Sequence, residues 1–466
     1  MNDQPQEACG IVGIYSPEGN AARTAFFGLF SLQHRGQESA GIGTNDGHNF
    51  HLHTEMGLLN QAFHEFDLHR LPGDFAIGHT RYSTTGESSK ANAQPIAVQG
   101  LHGQILLGHN GNLINALDLR REMATSWDCN FATSTDSEVI AQMLVNAPGK
   151  NWGERISYLF RKLQGAYSLV VLLDDGILAI RDPLGVRPLC IGQLGDGWVV
   201  ASESCALDNL GARFMREVEA GEGVFIGAQG PETLYQTQEG QKGHCVFETI
   251  YFARPDSNLE GKLVYVSRQE MGRQLAREHP VDADVVIAIP DSANPAAVGY
   301  AQESGIAYRE GLVKNRYVGR TFIEPDQRIR DIGVRLKFNP LPAVLEGQRV
   351  VVVDDSIVRG TTTPHVVNLI RQAGAREVHL RVCAPPIISP CYFGVDFATR
   401  AELIGANMTI PEICQFVGAD SLGYLTLDGL FKAIDASPTN YCYGCFSGRY
   451  PIDIQLDLDK LILEKA

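Results

Sequence analysis

Residues 349–353, RVVVV, form an almost unbroken β-branched run, which predicts a strand buried on both faces. Two carboxylates, Asp354 and Asp355, close it, and a polar turn over 356–362 follows. Thr363 is expected to cap a helix whose first residue is Pro364, running to Ala373 and stopped by Gly374. A second buried strand, 285–289, leads into PDSANP, where Asn294 and Pro295 cap and start a helix over 295–304. With a third strand over 378–382, this alternation predicts a parallel sheet with helices on both faces. Ligands of such sheets sit beyond the carboxyl ends of the strands, so both turns face one crevice. The N-terminal half is patterned differently. Residues 11–15 are a short apolar strand, and 166–173 and 176–180 alternate like paired strands around Asp174 and Asp175. Residues 227–243, GAQGPETLYQTQEGQKG, are polar and rich in Gly and Gln and read as a linker. It divides the chain into halves at 9–240 and 241–466.

Composition narrows the class. With 466 residues the chain has room for two large domains, and 44% hydrophobic against 20% charged residues suits a soluble globular protein. No apolar run reaches 18 residues and the N-terminus, MNDQPQEA, has no apolar h-region, so neither a membrane span nor a secretory signal is expected, and the location is cytoplasmic. A formal charge of −15 disfavours a nucleic-acid surface. Against this acidity residues 314–337 hold seven Lys or Arg and three acids, a local +4 that suits a polyphosphate, or simply a solvated basic loop.

The 349–363 stretch is chemically specific. A strand–turn–helix aims backbone N–H groups and a helix N-terminus at an anion, which suits a phosphate. Asp354 and Asp355 repel that phosphate but suit a sugar diol or a Mg²⁺ ion beside it. An ordinary acidic turn is the bland reading of the same residues. In the other half, Cys9 opens the 11–15 strand, a common place for a small core residue. Polar, Gly-marked loops follow: LQHRGQESAGI (32–42), GHTRYSTTG (78–86), GHNGNL (108–113) and TDSEVI (135–140). Taken singly, Arg81 could be a surface arginine, Asp136 a helix cap and Asn110 with Gly111 a β-turn.

Ten cysteines in a chain without an export signal argue against a disulfide framework. Cys442 and Cys445 form a C-x-x-C that suits a redox dithiol or half of a zinc site, and four thiolates would suit zinc. Cys190 and Cys205 read as core.

These motifs carry three resemblances. Residues 349–363 resemble the signature of phosphoribosyltransferases that use phosphoribosyl pyrophosphate (PRPP). In that family the acidic pair lies at the ribose hydroxyls and metal, and the turn holds the 5′-phosphate. This implies PRPP binding by Asp354, Asp355, Ser356, Arg359, Gly360, Thr361 and Thr362, with Lys314 and Arg316 on a mobile loop, and one Mg²⁺ near Ser292, Asp354 and Asp355. Residues 9–225 resemble the glutaminase domain of N-terminal-nucleophile amidotransferases. There the base for the thiol is the α-amine of the same cysteine, which titrates near ~8. The resemblance therefore implies that residues 1–8 are a propeptide and that Cys9 becomes residue one. It implies that Arg81 and Asp136 bind the glutamine carboxylate and ammonium, that Asn110 and the N–H of Gly111 form the oxyanion hole, and that Arg35 and Gly36 lie in a loop closing over glutamine. Cys245, Cys391, Cys442 and Cys445 match the [4Fe–4S] ligands of one class of this kind, implying one structural cluster per subunit.

The whole chain thus resembles the amidophosphoribosyltransferase family, in its propeptide-bearing iron–sulfur class. The implied fold is an αββα N-terminal-nucleophile glutaminase followed by a type I phosphoribosyltransferase domain with a parallel sheet. The implied reaction is PRPP with glutamine and water giving 5-phosphoribosylamine, glutamate and pyrophosphate, the first committed step of de novo purine synthesis. Purine nucleotides as feedback inhibitors and a homotetramer follow from the same resemblance. The rival reading is a PRPP-sensing regulator with a non-catalytic glutaminase domain.

Overall fold

The computed structural model describes residues 9–82, 86–238, 240–315, 337–395, 399–454 and 463. Residues 1–8 and Arg316, both assigned roles above, lie outside them, as does most of the basic 314–337 loop.

The first half is two stacked antiparallel sheets. One has seven strands in the order Arg213–Glu217, Cys190–Leu194, Gly197–Ala201, Gly10–Tyr15, Phe75–Arg81, Ser39–Asn45, Phe50–Met56. The other has six: Gly230–Gln236, Glu222–Gly227, Ile177–Arg181, Gly165–Leu172, Gly103–Leu113, Ile96–Gly100. Each strand feeds two cores, because alternate side chains leave opposite faces. Ile11, Ile77, Leu106, Val170 and Ile177 fill the space between the sheets. Val12, Ile14 and Ala76 pack outward under the Ala21–Ser31 and Ser204–Leu210 helices. Leu107, Leu169 and Val171 do the same under the Ala116–Ser126, Asp136–Asn146 and Trp152–Lys162 helices. The result is the four-layer αββα sandwich expected.

The second half holds four parallel strands in the order Val285–Ala288, Arg349–Asp354, Glu377–Val382, Ser421–Tyr424. Val351 and Val353 point into one core, with the Val264–Glu278 and Asn294–Ser304 helices, and Val350 and Val352 into the other, with the Thr363–Gln372 and Ile410–Val417 helices. All four valines are fully buried, each contributing about 1.5–3 kcal/mol of transfer free energy.

Three expectations shift. The helix after the phosphate turn starts at Thr363 with Thr362 as its cap, one residue earlier than the sequence suggests, with Pro364 still in the first turn. The helix after PDSANP likewise begins one residue early, at Asn294, with Ala293 before it and no side-chain cap. The linker is shorter than 227–243. Gly230–Gln236 pairs antiparallel with Glu222–Gly227 and extends the six-stranded sheet, because Leu234 and Tyr235 have an apolar surface to lean on. A polar, glycine-rich composition hid a half-covered edge strand.

Candidate active sites

The Gly10–Tyr15 strand is flanked on both sides within its sheet, and this places Cys9 at the sheet's end, buried. Its thiol donates to the Tyr82 carbonyl at 3.3 Å. Burial pushes the thiol pKa up to about 11, opposed by the Tyr82 bond and the nearby Arg81 charge. Around it lie Arg81, Tyr82, Gln94, His109, Gly111, Thr135, Asp136 and Ser137. The free space among them is about 10 Å³, room for roughly one water.

Local structure explains each neighbour. Arg81 ends the Phe75–Arg81 strand and donates from Nη1 to the Glu87 carbonyl at 3.2 Å. Its pKa is lowered by burial, with Cys9, Glu38 and Asp136 opposing. Asp136 is the first residue of a helix capped by Thr135, whose Oγ1 accepts from Glu138 N–H, so its carboxylate sits at the positive end of the helix dipole. Its Oδ2 accepts from Leu113 N–H at 2.9 Å. Asn110 is fully buried, yet neither its amide nitrogen nor its oxygen finds a partner among the described residues. A buried, unpaired amide costs about 1–3 kcal/mol unless something arrives to bond it. Gly111 adopts φ +152°, and a Cβ there would lie 2.0 Å from the Ala166 carbonyl oxygen, so only glycine keeps this backbone in place.

Sequence reasoning missed the network behind these groups. His109 N–H donates to Gln94 Oε1 at 2.8 Å, and Ser137 Oγ bonds both Gln94 Nε2 and His109 Nδ1 at 3.0 Å. Burial lowers the His109 pKa and holds that of His79 at about 3, so both rings are neutral. The signal was present in the histidines of GHTR and GHNG. Arg35 sends its guanidinium into a buried cluster, bonded to Glu203 and, at 2.6 Å, to Glu248. Gly36 does lie against the cavity wall, where a Cβ would meet the Thr80 carbonyl carbon at 2.4 Å.

In the second half Asp354 and Asp355 end their strand and are buried. Asp355 accepts from Ser292 Oγ, from the PDSANP turn, and from Ser356 Oγ at 2.8 Å. Burial raises its pKa, opposed by both serines and Arg268. The two turns therefore meet across one crevice. Gly360 turns the chain with φ +69°, Arg359 reaches Glu402 at 3.5 Å, and Thr361 and Thr362 run into the helix N-terminus. Lys314 Nζ pairs with Asp291 at 2.7 Å, next to Ser292. Hard oxygen donors beside a phosphate turn fit Mg²⁺.

All ten cysteines are free thiols. His244–Cys245 and Tyr441–Cys442 pair in parallel, with Cys245 opposite Cys442. Cys391 joins both in an apolar pocket with Ala166, Val186, Phe393 and Tyr450, and Cys445 follows on the Gly444–Ser447 turn. Burial raises the Cys445 thiol most, and the other three thiols add to it, so the four converge. Among the described residues no three His, Cys, Asp or Glu are set to hold a metal ion. Thiolates are the ligand type that both zinc and an iron–sulfur cluster take.

Residues 79–209 match the glutamine amidotransferase domain family. Over 469 residues, 99% of this chain and 95% of its relative, the chain is 48% identical to an amidophosphoribosyltransferase of Synechocystis. It is 49% identical over 452 residues to one of Archaeoglobus fulgidus, covering 96% of this chain and 98% of that protein. The chain belongs to the amidophosphoribosyltransferase family. A solved glutamine PRPP amidotransferase of B. subtilis, complexed with ADP and GMP, superposes with TM-score 0.90 at 43% identity, covering 96% of this chain and 98% of that one. Amidophosphoribosyltransferases thus share both halves of this architecture, in this order, and the comparisons give the PRPP-sensing regulator no support.

Proposed function

We infer that this amidophosphoribosyltransferase makes 5-phosphoribosylamine, glutamate and pyrophosphate from PRPP, glutamine and water, in purine biosynthesis, with the residues above in the following roles. The observation that carries the assignment is an unpaired buried Asn110 amide, one residue before the Gly111 that lines the Cys9 cavity, in the same chain as the Asp354–Asp355 turn.

With residues 1–8 attached, Cys9 has no α-amine and its thiol is held protonated by burial. Their removal supplies an amine of pKa near ~8 on the same residue as the thiol, so the proton has an acceptor at neutral pH. The thiolate attacks the glutamine amide carbon. Asn110 Nδ2 and Gly111 N–H receive the oxyanion, filling the bonds Asn110 lacks. Arg81 pairs with the substrate carboxylate, and Asp136 accepts from its ammonium. Ammonia leaves, and water cleaves the thioester to give glutamate.

Ammonia passes internally to the second site, where it displaces pyrophosphate at C1 of the ribose through an oxocarbenium-like transition state. The 356–362 turn and the helix N-terminus hold the 5′-phosphate, and Asp354 and Asp355 accept from the ribose hydroxyls. Lys314, and Arg316 by resemblance, meet the diphosphate. Ser292 with the two aspartates would hold Mg²⁺, which when bound supplies charge neutralisation on the leaving group. Cys245, Cys391, Cys442 and Cys445 would hold a [4Fe–4S] cluster whose contribution is a cross-link between the junction and the tail, since neither reaction moves electrons. The nucleotides on the B. subtilis protein support purine nucleotides as inhibitors here. The homotetramer rests on the family resemblance, and exposed Phe27, Phe30 and Phe66 leave apolar surface that an interface could cover. The cytoplasm is the compartment that suits free thiols, and no described helix is long and apolar enough to cross a membrane.

The test is glutamate release from glutamine with and without PRPP, on protein purified anaerobically. Release that PRPP stimulates, an intact mass beginning at Cys9 and about four irons per chain are expected. Active protein that retains residues 1–8 would overturn the amine base, and stoichiometric zinc would overturn the cluster.

A further inference from the structure

One side chain in the outer core of the six-stranded sheet comes from far outside it. That core packs the Ala116–Ser126, Asp136–Asn146 and Trp152–Lys162 helices on the sheet. Among the described residues its members lie between Ile96 and Tyr235, with one exception. The exception is Leu463, which is 3% exposed.

The chain leaves the phosphoribosyl half close to this core. Ile454 packs with Ala166, Phe393 and Tyr450 in the apolar pocket of the cysteines. Ala166 sits in that pocket, and the next residue on its strand, Tyr167, points the other way, into the core that holds Leu463. Leu463 is nine positions after Ile454, a reach of at most about 30 Å. Residues 455–462 and 464–466 lie outside the described residues.

Beside the same core is an open groove of about 580 Å³ between the Trp152–Lys162 helix and the Gly230–Gln236 strand. Tyr158, Arg161, Leu234 and Tyr235 line it, and all but Arg161 pack against the core of Leu463. Gly230–Gln236 is the outermost strand of its sheet, so one row of its backbone groups faces away from the other strands. Proteins cover such edges, because an open row pairs with any extended chain that reaches it. The helix covers part of this one: a Cβ at Gly153 would lie 2.7 Å from the Leu234 carbonyl oxygen. The groove is the part left open.

The sequence of 455–466, QLDLDKLILEKA, suits that place. Leu456 and Leu458 alternate with Asp457 and Asp459, the period of an extended chain with one apolar side. Leu461, Ile462 and Leu463 then follow together. The helix offers the acids a cationic neighbour, since Arg161 and Lys162 both lie over the Tyr158 ring, at 5.8 and 5.9 Å.

We propose that residues 455–466 dock on their own chain as a strap, filling the groove between the Trp152–Lys162 helix and the Gly230–Gln236 strand, with Leu463 as the plug that completes the core. The strap covers the sheet edge and ties the end of the phosphoribosyl half to the outer layer of the glutaminase half.

Amide hydrogen exchange, read by peptide mass spectrometry on the full-length enzyme, tests it. In wild type the amides of 460–466 are expected to exchange more slowly than those of an unstructured chain, and exchange at the unstructured rate overturns the proposal. Leu463→Ala and a chain ended after Ile454 are then compared with wild type. Exchange in peptides from 152–162 and 230–236 is expected to rise about thirtyfold, the equilibrium equivalent of the smaller losses on truncating a buried leucine, while 349–354 stays unchanged. Unchanged exchange at 152–162 and 230–236 in both variants overturns the proposal, and so does an equal rise at 349–354, which marks a general loss of fold. If the shortened chain does not fold, Leu463→Ala decides by the same outcomes. Protection of 460–466 that disappears on dilution to separated subunits overturns docking on the same chain and gives the groove to the segment of a second copy.

Discussion

Cys9 and Asp355 are both buried at strand ends, yet their neighbours make burial act differently. Burial lowers the pKa of His109, which lines the Cys9 cavity, and among the described residues the thiol bonds the Tyr82 carbonyl. That environment favours the protonated thiol. Asp355 is also pushed up by burial, but two serine hydroxyls and Arg268 oppose this. It stays poised as an oxygen ligand. The thiol thus sits where burial is little opposed, whereas the Asp355 carboxylate sits among hydroxyls and a guanidinium that oppose it.

The largest effect that would sharpen this contrast is at the nucleophile. Cys9→Ala is expected to abolish glutamine-dependent synthesis and to leave ammonium-dependent synthesis intact; loss of both in a coupled product assay would mean that the sites are not separable. Next is Asn110→Ala. Removing one oxyanion donor is expected to lower glutaminase kcat by about 10²–10³-fold with little change in KM for glutamine, read from steady-state glutamate release. A raised KM at unchanged kcat would instead make Asn110 a ground-state binder. Asp355→Asn is expected to lower both routes together by about 100-fold, because it acts at the shared acceptor; a loss confined to the glutamine route, in parallel assays with ammonium, would break the division of labour.

The smallest effect is a pH slope. Only thiolate alkylates, and a pKa raised to about 11 means that thiolate appears only towards that pH. For chain retaining residues 1–8, iodoacetamide labelling of Cys9, followed by peptide mass spectrometry, should therefore rise about tenfold per unit between about pH 7 and pH 10. Labelling that levels off near pH 8 would show that the thiol is already activated before residues 1–8 leave.

Much of this was legible in one dimension. The β-branched run before Asp354 specified a strand buried on both faces, and the Pro and Gly after it bounded a helix to within a residue. The C-x-x-C was legible as a motif, but the pairing of Cys245 with Cys442 was not, because it depends on a two-residue parallel pair between segments nearly 200 residues apart. The Gly230–Gln236 edge strand was hidden because its composition is that of a loop and its partner surface is built elsewhere.

Arg35 shows the limit most clearly. Its place beside Gly36 in a polar loop gave no hint of burial, because only folding brings Glu203 and Glu248 to it. By itself the sequence determined the elements, the order of the two halves and the chemical types at each site, since these follow from periodicity, turn chemistry and local motifs. The tertiary structure alone decided which charges are buried against which, how little free space lies beside Cys9, and which distant cysteines are brought together. The reason is physical: burial, desolvation and ion pairing are set by atoms distant in the chain, and no local pattern encodes the identity of those partners.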